Sequence, residues 1–325
     1  MSVEWPAPGA KAETALPVPG GADGRPTSVP LLLARGHRDG PLVVILGGVH
    51  GDEYEGILAA GAIFADLDPE TLRGRVLVAP VAHPAAFEAG TRTAPGDGLN
   101  LARVFPGREG GPATERLAAV LSEAVIRPAD LLLDLHSAGQ HYAMPLLCGS
   151  YSGNDPLGGR CRAAALAFGA PVYWAHPTLA PGRSLSVALD GGIPCLYAEC
   201  GGGGRARPAE VRAYQEGARR VLAHAGALPW EDVAPPPPPR LCLESGGDTD
   251  QAVPVRQDGL LLSRVVLLQH VEPGEPLGEV RDSRGHVLET VVAPGSGRVV
   301  LARRTARVRA GDGAYLLAPE APIPR

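Results

Sequence analysis

The sequence is short of lysine and has no surplus of positive charge. Of its 325 residues, 30 are Lys or Arg and 35 are Asp or Glu, which gives a formal net charge of -5, and Lys11 is the only lysine. No basic excess favours nucleic acid, and no polybasic stretch favours an anionic lipid surface. We therefore expect neither nucleic acid nor membrane among the partners, while a homo-oligomer stays open.

The sequence also lacks segments typical of membrane or exported proteins. No stretch reaches the roughly 18 uninterrupted apolar residues of a transmembrane helix. The N-terminus has no positively charged region followed by an apolar run, so we expect no secretory signal. The five cysteines form no C-x-x-C pair, which is typical of reduced, buried thiols rather than of disulfides or a thiolate metal site. These absences predict a cytoplasmic protein.

Apolar sequence, by contrast, is sufficient for a large core, since hydrophobic residues make up 45% of the chain. Runs such as LVVIL and LLLDL are apolar on both faces, which indicates strands covered by helices on both sides. Alternating strand and helix patterns predict an α/β fold with an open, mainly parallel sheet. The predicted strands are Pro30–Ala34, Leu42–Leu46, Arg75–Val81, Asp130–Leu135, Pro171–Trp174 and Pro194–Ala198, and the predicted helices are Tyr54–Leu67, Ala113–Val125, Arg160–Phe168 and Pro208–Ala225.

Changes in composition divide the chain. Residues 1–29 are rich in Pro, Gly and Ala and read as a loosely packed lead-in to a large domain over 30–230. Residues 231–240 contain five consecutive prolines, which favour a stiff linker. Residues 241–325 carry short β-type runs separated by Gly, Pro and Asp, which predicts a small all-β domain.

Polar residues follow three of the predicted strands at the point where each strand ends. His50 and Glu53 come after LVVIL, His136 comes after LLLDL, and Glu199 follows Pro194–Ala198. Because ligand sites of open α/β sheets lie at the carboxyl ends of the strands, we expect these side chains to meet at one edge.

The residue types at this edge are those of a hydrolytic zinc site. Two imidazoles and one carboxylate are a usual ligand set, with a fourth position open for water. We predict one Zn²⁺ per chain, held by His50, Glu53 and His136, with Glu199 free to act as general base. Asp134 is either a hydrogen-bonding partner of a ligand or a strand-end charge.

Each of these features also has a structural interpretation. H-x-x-E alone is a weak signal, and a single histidine at a strand end is usually a satisfied polar residue, so the metal site depends on the convergence of several strand ends. The run Gly201–Gly204 could form an anion-binding nest, but without a G-x-G-x-x-G spacing it is more typical of a turn. Cys200 has no assigned histidine partner, so we interpret it as a buried thiol rather than a nucleophile.

Five sequence blocks together resemble a known family. GGVHGDEYEG, HPAAFEAGTR, NLARVFPG, DLHS and AECGG occur in this order, and they are similar to blocks of the succinylglutamate desuccinylase/aspartoacylase family of the zinc-carboxypeptidase-like superfamily. The resemblance covers roughly residues 27–318 and looks closest to N-acetyl-diaminobutyrate-type deacetylases of the ectoine-degradation branch. It implies a zinc-carboxypeptidase-like fold with helices on both faces of a mostly parallel mixed sheet, a C-terminal β domain, and deacylase activity.

The resemblance also implies roles for single residues. The ligand and base roles fall on the four residues named above. Arg92 matches an arginine that polarises the scissile carbonyl and stabilises the oxyanion, a role that suits a permanently charged guanidinium. Arg103 matches an arginine that binds a substrate carboxylate, and Asn100 belongs to the same substrate-binding block.

Two positions depart from the family pattern. Ala102 stands where the family has asparagine beside the carboxylate-binding arginine. One donor to the substrate is therefore missing, which is worth very roughly 1.5–3 kcal/mol. His83 stands where the family often has asparagine before proline, and we interpret it as a packing residue rather than a residue that lines the site.

Three functions compete. The leading hypothesis is zinc-dependent deacylation of a small N-acyl amino acid or N-acyl diamino acid by a metal-activated water, with Glu199 as base. The second is a zinc metallocarboxypeptidase, against which Ala102 argues, because binding of a C-terminal carboxylate usually uses an Asn-Arg pair. The third is a catalytically degenerate metal-binding scaffold.

The C-terminal stretch raises a further non-enzymatic reading. Residues 293–297 and 308–312 resemble the hammerhead fold of biotinyl and lipoyl carrier domains. Such carriers need an attachment lysine, and the sequence has only Lys11, so a carrier function is excluded.

Overall fold

The protein is described here by a computed structural model that covers residues 3–20 and 27–324. Within these ranges the strands are β1 Ala10–Val18, β2 Thr27–Arg35, β3 Arg38–Gly47, β4 Arg73–Ala79, β5 Leu131–Leu135, β6 Tyr142–Ala143, β7 Leu147–Tyr151, β8 Val172–His176, β9 Cys195–Glu199, β10 Leu241–Glu244, β11 Val253–Pro254, β12 Gly259–Ser263, β13 His270–Val271, β14 Pro276–Arg281, β15 Val287–Val292, β16 Gly297–Arg303, β17 Arg307–Val308, β18 Gly313–Ala318 and β19 Glu320–Ala321. The α-helices are α1 Tyr54–Asp66, α2 Pro84–Ala89, α3 Ala113–Leu121, α4 Pro156–Phe168, α5 Ser184–Asp190 and α6 Pro208–His224.

In the described part of the chain, ten strands form one sheet in the order β1-β2-β4-β3-β5-β9-β7-β8-β10-β19. The pairs β4/β3, β3/β5, β5/β9, β7/β8 and β8/β10 are parallel, and the remaining neighbours are antiparallel. The prediction of a mostly parallel mixed sheet is therefore confirmed. Strands β3, β5 and β9 lie side by side, so their carboxyl ends meet at one place on the sheet edge.

Helices cover both faces of the sheet, as the two-sided apolar runs predict. Alternate residues of β3 point to opposite sides: Val43 and Ile45 pack under α1, α4 and α6, whereas Val44 and Leu46 pack under α3 and α5. Each strand thus contributes to two cores, which explains why LVVIL has no polar face. Every helix in residues 3–20 and 27–324 is too short or too polar to span a lipid bilayer.

The predicted elements differ from the observed ones mainly at their ends. Helices α1, α3 and α6 begin at the predicted residues, whereas α4 begins at Pro156, before the predicted Arg160. The reason is local, because the Asp155 carboxylate accepts a hydrogen bond from the Gly158 backbone N–H (2.8 Å) and proline occupies the first turn. Helix α3 continues into a π-helical segment, Ser122–Ile126, where the sequence pattern predicts plain α-helix.

The lead-in predicted for residues 1–29 is wrong over most of its described length. Ala10–Val18 forms the edge strand β1, which pairs antiparallel with β2 over nine residues. Leu16 and Val18 are buried, while Glu13 and Thr14 are exposed. Alternating burial of this kind is typical of an edge strand with one covered face. Residues 1–2 and 21–26 of the predicted lead-in lie outside the described residues.

The chain after the proline segment does not leave the large sheet at once. Leu241–Glu244 (β10) pairs parallel with β8, and β19 pairs with β10, because the outer edge of β8 is available for pairing. Residues 253–318 then form two small antiparallel sheets, β11-β18-β16-β13 and β15-β14-β12-β17. These are the C-terminal β sheets that we expected, whereas the exact domain bounds stay a prediction.

One contact joins the C-terminal sheets to the loops of the large sheet. Strand β6, which lies in the loop after β5, pairs antiparallel with β16, and Ala143 lies opposite Ala302. Below this pairing, Met144 and Trp174 pack with Val300 in a shared apolar cluster. The C-terminal part is thereby held against the carboxyl edge of the large sheet.

The role of β1 can be tested with Leu16→Ala. Leu16 is 4% exposed and packs in the core that also holds Leu117 of α3, so the substitution should lower the free energy of unfolding by about 2–5 kcal/mol. Chemical denaturation measures the change. Glu13→Ala on the exposed face of the same strand is the matched control and should be nearly neutral. Equal, small effects of both substitutions would mean that β1 is not part of the core.

Candidate active site

The first part of the site is the loop between β3 and α1, which carries His50 and Glu53. Gly48 has a φ of +60°, a left-handed conformation that suits glycine. At Gly51 a Cβ would lie 2.0 Å from the Ala86 carbonyl carbon, so only glycine fits this approach. The tight loop turns back at the sheet edge. The His50 and Glu53 side chains are both buried, with exposures of 3% and 1%.

Glu53 contacts the histidines of two different strand ends. Its Oε1 lies 2.7 Å from His50 Nδ1, and its Oε2 lies 2.9 Å from His136 Nδ1. The backbone N–H of Ser137 donates to Oε2 at 3.2 Å, and the Arg92 guanidinium donates to Oε1 at 3.1 Å. One ring nitrogen of each histidine and one carboxylate oxygen of Glu53 all lie within 4.8 Å of one another. This is the donor set that the sequence predicts.

The outer nitrogen of each ring has a partner of its own. His50 Nε2 lies 3.0 Å from Asn100 Oδ1, and His136 Nε2 lies 3.2 Å from Asp134 Oδ2. Asp134 is fully buried and also accepts a hydrogen bond from the Ser184 hydroxyl. The geometry favours the interpretation of Asp134 as a hydrogen-bonding partner of His136 over its interpretation as a strand-end charge. Such partners fix each ring with its Nδ1 turned towards Glu53, the side on which the ring could bind a metal.

The buried charges of the group shift one another's ionisation. Burial opposes a charged Glu53, but the two histidines outweigh it and hold the pKa of this carboxyl well below its usual range. Burial and the Arg92 charge lower the pKa of His50. Burial also disfavours a charged His136, but Asp134 and Glu53 outweigh it and raise the pKa of this ring well above its usual value.

Glu199 reaches the same edge from the end of β9. Burial, followed by the charge of Glu53, raises the pKa of Glu199 to about 8, although His136 and Arg92 act in the opposite direction. Its Oε2 is buried and has no hydrogen-bond partner within the described residues. The two glutamates of the site therefore differ: Glu53 is held ionised, while Glu199 is poised to exchange a proton near neutral pH.

His50, Arg92, His136 and Glu199 line one open cleft with a cavity volume of about 80 Å³. Its walls are partly apolar, which is typical of a pocket for a small organic ligand. The lining residues are His50, Arg92, Ala102, Arg103, His136, Met144, Trp174, His176, Leu179, Arg183, Ser184, Leu185, Tyr197, Glu199, Gly247 and Thr249.

The remaining predicted residues fall into two groups. Arg92 and Arg103 line the cleft, and Ala102 lies beside Arg103 at 7% exposure. Asn100 instead directs its Oδ1 to the backbone N–H of Ala102 (2.9 Å) and to His50, so its role in substrate binding stays a prediction. His83 is 2% exposed and does not line the cleft, which favours the packing interpretation.

The two weaker motifs have structural roles. Cys200 is fully buried, and burial raises the pKa of its thiol, so this side chain is not an activated nucleophile. In the glycine run, the backbone N–H of Gly202 donates to the carboxylate of Glu55 at 2.9 Å. An internal carboxylate thus takes the N–H that an external anion would need.

Several cleft residues were missed by sequence reasoning. Tyr197 lies two residues before Glu199 on the same face of β9, and a period of two could have identified it. Tyr197 Oη lies 2.8 Å from His176 Nε2, at the end of β8. Arg183 precedes α5, an element that the apolar pattern did not predict, and its side chain lies 3.3 Å from Asp248. No local signal places Arg183 in the cleft.

Comparison with known proteins shows which family the chain resembles. Residues 39–225 match the family model of the succinylglutamate desuccinylase/aspartoacylase catalytic domain. The chain is 32% identical over 284 residues to the N-alpha-acetyl-L-2,4-diaminobutyric acid deacetylase of Halomonas elongata, covering 86% of this chain and 82% of the relative.

Solved structures are similar over nearly the whole chain. A succinylglutamate desuccinylase/aspartoacylase from Rhodobacter sphaeroides has a TM-score of 0.85 at 28% identity and covers 98% of both chains. The product-bound ectoine utilization protein from Ruegeria pomeroyi has a TM-score of 0.86 at 27% identity, covering 98% of this chain and 97% of that one. The family model matches more than half of this chain, which therefore belongs to the succinylglutamate desuccinylase/aspartoacylase family.

Proposed function

We propose that this protein is a zinc-dependent hydrolase that removes the acyl group from a small N-acyl amino acid or N-acyl diamino acid. The observation that carries the proposal is the grouping of His50, Glu53 and His136 around one point. Glu199 lies in the same cleft, and its Oε2 has no hydrogen-bond partner in residues 3–20 and 27–324. The deacylase family and the diaminobutyrate deacetylase relative support the reaction class.

The residues present fit a zinc ion. Two imidazole nitrogens and a carboxylate are a usual set for a hydrolytic zinc, and both outer ring nitrogens are already occupied by oxygen partners. When bound, zinc would polarise the acyl carbonyl and lower the pKa of a water molecule. His50, Glu53 and His136 would hold it.

Glu199 is the residue best placed to move the proton. Its carboxylate takes a proton from the attacking water and returns it to the leaving amine, which must depart neutral. The buried Oε2 has no competing partner in the described chain, and the pKa raised to about 8 gives this carboxylate more basicity than an exposed glutamate has. A bound dication would lower that pKa towards the working range.

The cleft arginines have two separate roles, stabilisation of the acyl oxygen and binding of the substrate carboxylate. Arg92 donates to Glu53 from the cleft wall, so its guanidinium is beside the metal ligands, where the acyl oxygen develops negative charge. Arg103 and Arg183 lie together elsewhere on the cleft wall, since both contact Asp248. We assign to this second pair the binding of the substrate carboxylate.

Metal analysis tests the ligand set. Purified, zinc-supplemented protein should contain about one zinc per chain by elemental analysis, and a chelator should abolish deacylation. His136→Ala should lose both the zinc and the activity, because a two-ligand site binds zinc weakly. His286→Ala, at an exposed histidine that contacts Asp282, is the matched control and should retain both. Full activity of metal-free protein would contradict the proposal.

Glu199→Gln tests the general base. The amide has the same shape but cannot take a proton, so kcat should fall by about 10²–10⁴-fold. The zinc content should stay unchanged, because Glu199 is not among the three ligands. Glu231→Gln, an exposed control, should leave kcat unchanged. Wild-type kcat in Glu199→Gln would remove Glu199 from the mechanism.

Arg103→Gln tests carboxylate binding. Losing a charge-assisted contact of about 1.5–3 kcal/mol should raise KM for N-acetyl amino acids at least tenfold. KM for the corresponding N-acetyl amino acid amides, which lack the carboxylate, should change little. Equal effects on both substrates would mean that Arg103 does not bind this group. Faster cleavage of peptides than of N-acetyl amino acids by the wild type would instead support a carboxypeptidase.

A further inference from the structure

A short segment of the C-terminal part lies along the substrate cleft. We call residues 245–250, which follow β10, the strap. Gly247 and Thr249 of the strap line the cleft directly. His50 and His136 follow β3 and β5, and Glu199 ends β9, whereas the strap follows β10, so a part of the chain that is distant in sequence reaches the same cavity.

The strap is held in place by contacts at its first residues. Ser245 donates its backbone N–H to Ala175 O at 3.2 Å, and its carbonyl oxygen lies 2.7 Å from His176 Nδ1. The Trp174 indole donates to the Ser245 hydroxyl at 2.9 Å. At Gly247, which has a φ of +63°, a Cβ would lie 2.3 Å from the His176 ring. The Gly247 backbone and the His176 ring therefore lie too close together for any residue with a Cβ at position 247.

The strap then presents two carboxylates to two cleft arginines. The Arg103 guanidinium donates to Asp248 Oδ1 at 3.1 Å and to Asp250 Oδ2 at 2.7 Å, and Arg183 lies 3.3 Å from the same Asp248 oxygen. Asp248 is 22% exposed, whereas Asp250 is 61% exposed. Because Asp248 is the better buried of the two, its charge is screened less by water.

These pairs set the charge at this end of the cleft. Arg103 and Arg183 carry two positive charges, and Asp248 and Asp250 carry two negative ones, so the group is neutral overall. Arg183 lines the cleft and keeps N–H groups beyond its contact with Asp248, so one substrate carboxylate can still be bound. Asp248 lies between the cleft-lining residues Gly247 and Thr249 and contacts both arginines, so its charge lowers the positive potential that a second substrate carboxylate would meet.

We propose that Asp248 is a specificity-determining residue that disfavours N-acyl dicarboxylic amino acids and favours N-acyl amino acids with a neutral or cationic side chain. This inference rests on the proposed deacylase function. The preferred substrates of the enzyme then include N-acyl diamino acids, whose side-chain ammonium is attracted by the Asp248 charge. N-acyl aspartate and N-acyl glutamate are not among the preferred substrates.

The test compares substrates of different side-chain charge, of which the glutamine and glutamate compounds also match in size. The zinc-loaded full chain is assayed for kcat/KM with N-acetyl-L-glutamine, N-acetyl-L-glutamate and Nα-acetyl-L-2,4-diaminobutyrate. The wild type should prefer the glutamine and diaminobutyrate compounds to the glutamate compound. Asp248→Asn should reduce the glutamine-to-glutamate preference by about tenfold, since removing one charge removes one repulsion. Asp248→Glu, which keeps the charge, should retain the preference.

The controls separate charge from structure. Asp39→Asn makes the same charge change at the opposite end of β3 and should leave the preference as in the wild type. A loosened strap would change kcat/KM for all three substrates together, whereas the ratio responds only to substrate charge.

Two failures can be told apart. Turnover by the wild type with an unchanged ratio in Asp248→Asn would overturn this inference alone. No turnover of any of the three substrates by zinc-loaded wild type would overturn the proposed function and this inference with it.

Discussion

Both histidines of the site contact a single carboxylate, and the rest of the site is arranged around that contact. Glu53 can reach both rings only because β3 and β5 are adjacent and in register, with Gly47 opposite Leu135. A buried carboxylate between two imidazoles needs compensating partners. Ser137 and Arg92 provide donors to Glu53, and oxygen partners fix the outer nitrogens of the rings.

The same group of charges separates the two glutamates chemically. Glu53 lies between histidines and is held ionised, while Glu199 lies near Glu53 in a buried position that disfavours a second negative charge. One glutamate is therefore suited to bind a cation and the other to carry a proton. Their difference arises from neighbours on three strands rather than from either residue's own type.

The C-terminal part contributes to the substrate end of the cleft rather than to the reacting centre. Its contact with the large sheet includes the β6/β16 pairing, the shared apolar cluster and the strap. The strap adds negative charge where arginines alone would attract any polyanion. We infer that this charge limits which substrates the cleft accepts, because specificity depends on unfavourable contacts as well as favourable ones.

The sequence predicted six of the ten strands of the described sheet, four of the six α-helices in the described residues, and the polar residues that follow its central strands. Apolar runs with two buried faces identify the central strands, and their carboxyl ends locate His50, Glu53, His136 and Glu199, since these depend on local pattern and on the fixed edge at which parallel strands end. Weakly apolar or short elements such as β1 and α5 were missed, because their burial depends on neighbours distant in sequence.

The residues that surround this group of polar side chains depend on the tertiary structure. The partners Asn100 and Asp134 acquire their roles through side-chain directions that no spacing reveals. Arg183 and Asp248 come from segments about 65 residues apart and meet only because β10 returns to the large sheet beside β8. Electrostatic interactions act through space rather than along the chain, so the order of residues does not predict which arginines and aspartates meet at this end of the cleft.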